Sequence, residues 1–201
     1  LRCLVGSEMC IRDRYINECI SDVAYLSLSR PAGTLAKSGQ GDDAKSMLSL
    51  IAENIADRNS GFKNLVITDS SGNIVYEYED IQGMKESFFG FEELEGYSEG
   101  STKISKIYMN NEDYETSVFY VAKSIDADGL NNIDGFAIEI IDLSKISEIL
   151  SKTSYGEGKG YLSVTDGTGC VLNYEGNAVQ KIDDITDSGI RDVMKSTVKP
   201  T

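Results

Sequence analysis

The sequence predicts an α+β fold, with N-terminal helices packed on an antiparallel sheet, followed by a truncated second module of the same kind. Three observations carry that expectation. First, the apolar run Leu65-Val-Ile-Thr-Asp passes through Ser70-Ser71-Gly72 and resumes at Ile74-Val75-Tyr76. β-Branched runs on either side of a short Asp/Ser/Gly segment form a hairpin, in which Asp69 can bond the backbone two residues on and Gly72 can take a positive φ. Second, helical apolar spacing precedes this hairpin and further strand-like runs follow it. Third, the hairpin pattern returns 97 residues later: Thr165-Asp166 matches Thr68-Asp69, Gly169 matches Gly72, and Val171-Leu172 matches Ile74-Val75. That distance is too long for a solenoid and suits two copies of one small domain.

Residues 1–14 have no clear helical or strand period. They resemble a translated sequencing-adaptor read-through; the other reading is a frayed N-terminal helix. On the first reading Cys3 and Cys10 carry no meaning. Residues 15–60 are expected to be N-terminal helices. Ile16, Cys19, Ile20, Val23, Ala24 and Leu28 recur at helical spacing, and Pro31 and Gly33 interrupt or end that helix. After the polar break Ser38-Gly39-Gln40-Gly41, Asp42 or Asp43 is expected to cap a second helix. Its stripe of Ala44, Met47, Leu48, Ile51, Ala52 and Ile55 suits packing on a sheet. Asn59-Ser60-Gly61 stops it.

Residues 61–150 form the complete module. After the hairpin comes an irregular segment, Asp80 to Gly100, with Phe88-Phe89-Gly90-Phe91 and Gly96-Tyr97; a short helix or an ordered loop would both fit. Strands follow at Ile104–Met109, Ser117–Ile125 and Phe136–Ile141, the last with Phe136, Ile138 and Ile140 on one face. Asp142 then caps a short helix carrying Leu143, Ile146, Ile149 and Leu150. Residues 151–160 read as a linker. Residues 161–201 hold the second hairpin and one helix around Ile190, Val193 and Met194, too little to bury a stable core alone.

Composition removes several function classes. A formal charge of −14 argues against nucleic-acid binding, which needs clustered Lys and Arg, and against docking on anionic membranes. The chain has no histidine, which excludes Ser/His/Asp and Cys/His catalysis and His-ligated metals. Cys19 and Cys170 lack the spacing of a metal or redox pair. Glu92-Glu93 stands without a nucleophile or a phosphate loop, and Gly156–Gly160 lacks the P-loop pattern. Asp126, Asp128 and Asp134 miss the EF-hand spacing and suit a hairpin loop better than calcium. The chain therefore reads as non-enzymatic and without cofactor or metal.

The order of these elements resembles the double Cache family of extracytoplasmic sensor domains, whose modules are PAS-like. The resemblance rests on the hairpin Leu65–Val75, on Gly135-Phe-Ala-Ile-Glu-Ile-Ile-Asp-Leu143, and on Gly160–Leu172. It implies a membrane-distal module at 61–150 and a truncated membrane-proximal one at 161–201. It further implies a parent receptor anchored through segments absent here, with a chemotaxis, histidine kinase or diguanylate cyclase output, and homodimerisation through the N-terminal helix. A small-molecule ligand would lie in the distal module, between the curved sheet face and the loops before the third strand. The family's amino-acid-binding branch uses a Tyr, Arg, Trp, Tyr and Asp cluster there, and an Asp in the closing strand. This chain has no Trp, no Arg between Arg58 and Arg191, and Ile140 at the strand position.

Tyr97, Tyr108, Tyr114 and Tyr120 lie in the region that would frame such a pocket, and tyrosine pairs an apolar face with a hydroxyl. For any one of them, ordinary packing is the commoner explanation. Without a central Arg to clamp a carboxylate, a neutral, amine or carbohydrate-like ligand suits better than a dicarboxylate. The alternative is an extracytoplasmic protein-interaction module without a small ligand.

Overall fold

A computed structural model describes residues 2–79, 81, 87–95, 100–112, 114–143, 154–155, 160–161, 164–165, 170–174 and 177–197. In chain order the elements are α1 (Arg2–Ser27), α2 (Arg30–Ser38), α3 (Asp42–Arg58), β1 (Phe62–Asp69), β2 (Ile74–Glu77) and α4 (Phe91–Leu94). Next come β3 (Thr102–Ile104), β4 (Tyr108–Asn111), β5 (Thr116–Ile125) and β6 (Gly135–Asp142), then short strands β7 (Ser154–Tyr155), β8 (Gly160–Tyr161) and β9 (Val164–Thr165). The chain continues with β10 (Cys170–Tyr174), β11 (Asn177–Lys181), a 3-10 turn (Ile182–Asp184) and α5 (Ser188–Thr197). The chain divides into two compact units: Asp13–Ser105 with Tyr120–Ile141, and Leu1–Arg12 with Lys106–Phe119 and Asp142–Thr201.

In the first unit the sheet runs in the order β2-β1-β6-β5-β3. β1 and β6 are antiparallel, with Leu65 opposite Glu139 and Ile67 opposite Ala137, and with Val66 opposite Ile138 and Thr68 opposite Phe136. Partners share a face and neighbours alternate. Leu65, Ile67 and Ala137 join Leu26, Leu35, Leu48, Ala52 and Ile55 in one buried cluster under the helices. Phe136, Ile138 and Ile140 take the opposite face, as their alternation requires.

Three local expectations need correction. Pro31 opens α2 and does not close α1. Proline has no N–H to waste in a first turn, and Ser29 caps that turn by accepting from Ala32 N–H. α1 already stops at Ser27, and Gly39, at φ 65°, ends α2. The N-cap of α3 is Gly41, with no side-chain cap bond; Asp42 and Asp43 sit in the first turn, where their charge favours the helix dipole. The strand expected over Ile104–Met109 is two short strands, β3 and β4, with Ser105 at the break. Ser105 N–H donates to Tyr120 O and Tyr120 N–H donates to Ser105 Oγ, both at 2.9 Å. A hydroxyl thus replaces a ladder carbonyl, and the regular pairing stops there.

In the second unit β4 pairs with the opening of β5, Tyr108 opposite Val118, and Leu143 N–H donates to Ser117 O. The helix expected after Asp142 lies outside the described residues beyond Leu143. The repeated hairpin forms as β9–β10, with Thr165 opposite Val171; β1–β2 pairs Thr68 with Ile74 in the same register. A further strand not expected from the sequence, β11, extends this hairpin to three strands, and β7 in the stretch expected as linker pairs with β8, which crosses that stretch's end at Tyr161. α5 covers the helix expected around Ile190. Among the described residues, no helix is long and apolar enough to cross a membrane.

Candidate functional site

The first unit contains a cleft of about 480 Å³ lined by Ser70, Ser71, Phe91, Leu94, Glu95, Ile133 and Phe136. Its volume is in the range of small-molecule sites. Three segments distant in sequence build it, and each is fixed by its own chemistry.

The β1–β2 turn supplies the serines. Asp69 Oδ1 accepts from Ser71 N–H at 2.8 Å and Asn73 N–H at 2.9 Å, and Asn73 Nδ2 donates to Oδ2 at 2.8 Å. Gly72 takes φ 83° and donates to Asp69 O. Phe91 lies directly over Gly72: a Cβ added there would fall 2.3 Å from the ring. Only glycine therefore satisfies both the turn and the wall of the cleft.

The segment from Ser87 to Glu95 supplies Phe91, Leu94 and Glu95. Phe88 N–H donates to Gly72 O at 2.9 Å, tying this segment to the turn. The Phe91 ring meets Phe136 edge to face, centroids 6.3 Å apart, a favoured aromatic geometry. Leu94 is buried and Glu95 exposed, so the lining is apolar with one carboxylate at its margin.

The β5–β6 loop supplies Ile133. Asp126 accepts from Leu130 and Asn131 N–H at 3.2 and 3.1 Å, and Asp134 Oδ2 accepts from Ala127 N–H at 2.8 Å. Asp128 pairs with Lys37 of α2. These carboxylates close the loop; among the described residues no group of three or more potential ligands is placed to hold a metal.

Of the four tyrosines expected to frame a pocket, none is among the described residues lining this cleft. Tyr97 lies outside the described residues. Tyr120 belongs to the first unit and is fully buried. Its hydroxyl donates to Gly90 O at 2.9 Å, and its ring packs edge-on against Phe88 and Phe89, at 5.1 and 6.2 Å. It holds the segment leading into α4 and is not among the residues lining the cleft. Tyr108 and Tyr114 belong to the second unit. Tyr108 is half-buried in β4 with Lys106 Nζ 5.2 Å from its ring centre. Tyr114 is buried in the β4–β5 turn, its N–H donating to Asn111 Oδ1 at 3.3 Å. Lys123, one face away from Tyr120, donates to Gly100 O at 2.5 Å. The lining residues went unnoticed because they carry no motif. The usable signal was the Phe88-Phe89-Gly90-Phe91 cluster ahead of the expected third strand.

The fold is shared with solved sensor and ligand-binding domains of signalling receptors. The chain is similar to a domain of a sensory box/GGDEF family protein from Vibrio parahaemolyticus, at TM-score 0.66 and 14% identity, covering 98% of this chain and 80% of that one. It is similar to the extracellular domain of the histidine kinase vpHK1S-Z8, at TM-score 0.61 and 13% identity, covering 96% and 70%. It is also similar to the ligand-binding domain of the Pseudomonas aeruginosa PAO1 amino acid chemoreceptor PctB in complex with L-Gln. There the TM-score is 0.57 and the identity 16%, covering 86% of this chain and 66% of that one. At these identities the likeness is one of fold. No family model matches the chain, and no curated protein is significantly similar to it in sequence.

Proposed function

We propose that this chain is the extracytoplasmic small-molecule-sensing part of a membrane-anchored signalling receptor, without catalytic activity of its own. The observation that carries the reading is the cleft beside Phe91 and Phe136, set in a fold shared with ligand-binding sensor domains. Its lining of two aromatic rings, two aliphatic side chains, two hydroxyls and one carboxylate suits a small amphipathic molecule. The described lining offers no cation for a carboxylate ligand, consistent with a neutral or amine ligand. Signalling would follow from a difference in affinity between two arrangements of the domain.

A thermal-shift screen of the whole chain against amines, sugars, amino acids and carboxylates tests this. A ligand bound only by the folded state adds about 2.7 kcal/mol at a hundredfold excess over its dissociation constant. The expected result is a hit whose affinity falls at least tenfold in Phe91→Ala, with Tyr108→Ala unchanged. A hit lost in Tyr108→Ala but kept in Phe91→Ala would move the site to β4. Silence across the library, with the protein folded, would favour an interaction module.

A further inference from the structure

The helix-covered face of the sheet contains one group that apolar packing does not explain. Glu139 stands within β6 opposite Leu65 and is fully buried. Its Oε1 accepts from Asn59 Nδ2 at 3.0 Å, while Oε2, also buried, has no hydrogen-bond partner. Asn59 is itself held in place: its Oδ1 accepts from Tyr15 Oη at 2.7 Å and from Gly61 N–H at 3.0 Å. Its Nδ2 also lies 3.7 Å from Cys19 Sγ. Tyr15 and Cys19 of α1, Asn59 at the end of α3 and Glu139 of β6 thus form one polar chain inside an apolar layer. A buried carboxylate met only by neutral groups, the Asn59 amide and the Cys19 thiol, is poorly compensated, so this site favours the uncharged acid.

The surrounding charges reinforce that preference. α1 presents Asp22, and α3 presents Arg58. The two are bonded to each other at 2.6 Å, with Arg58 about half exposed. Glu18 of α1 also acts on Arg58. β1 presents only Leu65 at the paired position. Burial, then Asp22, push the Glu139 carboxyl up to about 8, against the opposing pull of Asn59, Arg58 and the Cys19 thiol. The same burial, with the Glu139 charge second, raises the Cys19 thiol far above its ordinary range, so it stays protonated.

We propose that the Glu139 carboxyl is a proton-binding site that couples the seating of α1 on the sheet to the pH of the surrounding solution. Protonated, it is a neutral acid between α1, α3 and β6. Ionised, it places a charge under α1 that is relieved only by admitting water or lifting the helix. The proton would be a second ligand of this domain, held on the face opposite the cleft. This inference is independent of what the cleft binds. Because the folded-state pKa lies above the ordinary glutamate value, the group's contribution to stability is complete in acid. It is lost as pH rises through that ordinary value toward the folded one.

The test compares the whole chain with Glu139→Gln between about pH 5 and 9, using thermal unfolding, infrared spectroscopy and amide exchange. The unaltered chain should lose on the order of 10 °C in Tm across this window, and the glutamine variant should stay nearly flat. At neutral pH the chain should show the C=O stretch of a protonated acid, absent in the variant; exposed carboxyls are ionised there. Exchange in Tyr15–Ser27 should accelerate with pH at least tenfold beyond its intrinsic rate only when Glu139 is present. Parallel Tm curves, or no acid band lost on substitution, would overturn the proposal. Should Glu139→Gln not fold, Asp22→Asn serves instead. Removing that facing carboxylate should move the transition to lower pH, and an unmoved transition would count against the site.

Discussion

The two faces of the central sheet use one strand in opposite ways. On one side of β6, Ala137 is sealed in the cluster that holds Leu35, Leu48 and Ile55, and Glu139 is buried against Asn59 at the end of α3. On the other side Phe136 meets a one-turn helix and leaves a cleft beside it. Covering a face with three long helices buries whatever the alternation puts there, including an acid. Covering it with a short turn and loops leaves room for a molecule. The difference teaches that a face's function follows from the thickness and continuity of its cover as much as from the residues on the strand.

The sharpest way to break this arrangement is to attack what both faces share. A Cβ on Gly135 would fall 1.9 Å from the Thr68 carbonyl oxygen, so Gly135→Ala must part β1 from β6. The expected loss is about 3 kcal/mol or more, read by urea denaturation, together with loss of any cleft ligand. Leu48→Ala isolates the covered face. It should cost about 3 kcal/mol through a cavity, with the affinity of the surviving folded protein for a cleft ligand unchanged. Gly72→Ala isolates the open face: it strains a φ of 83° and displaces Phe91. About 1–2 kcal/mol of stability should go, while ligand affinity falls at least tenfold by calorimetry. The smallest effect is expected of Tyr120→Phe, which removes one of two donors to Gly90 O and leaves the Glu93 N–H in place. It should cost about 1 kcal/mol and weaken ligand binding only slightly, through the positioning of α4.

Much of the fold was legible because turn chemistry is local. Asp69 and Gly72 define their hairpin within five residues, and the repeat reproduces its register, Thr68 with Ile74 and Thr165 with Val171. Pro31 was misread because proline both stops and starts helices, and only the Ser29 cap decides between them. The split between β3 and β4 depends on one hydroxyl, Ser105, bonding a residue fifteen positions away. The alternation of Phe136, Ile138 and Ile140 leaves Glu139 on the other face. Alternation cannot tell solvent from a layer of helices, so its burial was hidden. The cleft was the least legible feature. Its walls come from the 70–71 turn, the 91–95 turn and the 133–136 approach, none periodic, and the tyrosines drew attention because their hydroxyls look functional. The Tyr120 hydroxyl instead bonds a backbone carbonyl.

The position of Phe91 has an optical consequence. The chain has 11 tyrosines and no tryptophan, so it is dark to selective excitation at the red edge of indole absorption. Phe91→Trp would place the sole indole at the wall of the cleft, resting on Gly72. Its emission maximum and its quenching by iodide would then report, without background from elsewhere in the chain, whether that wall faces water or a guest.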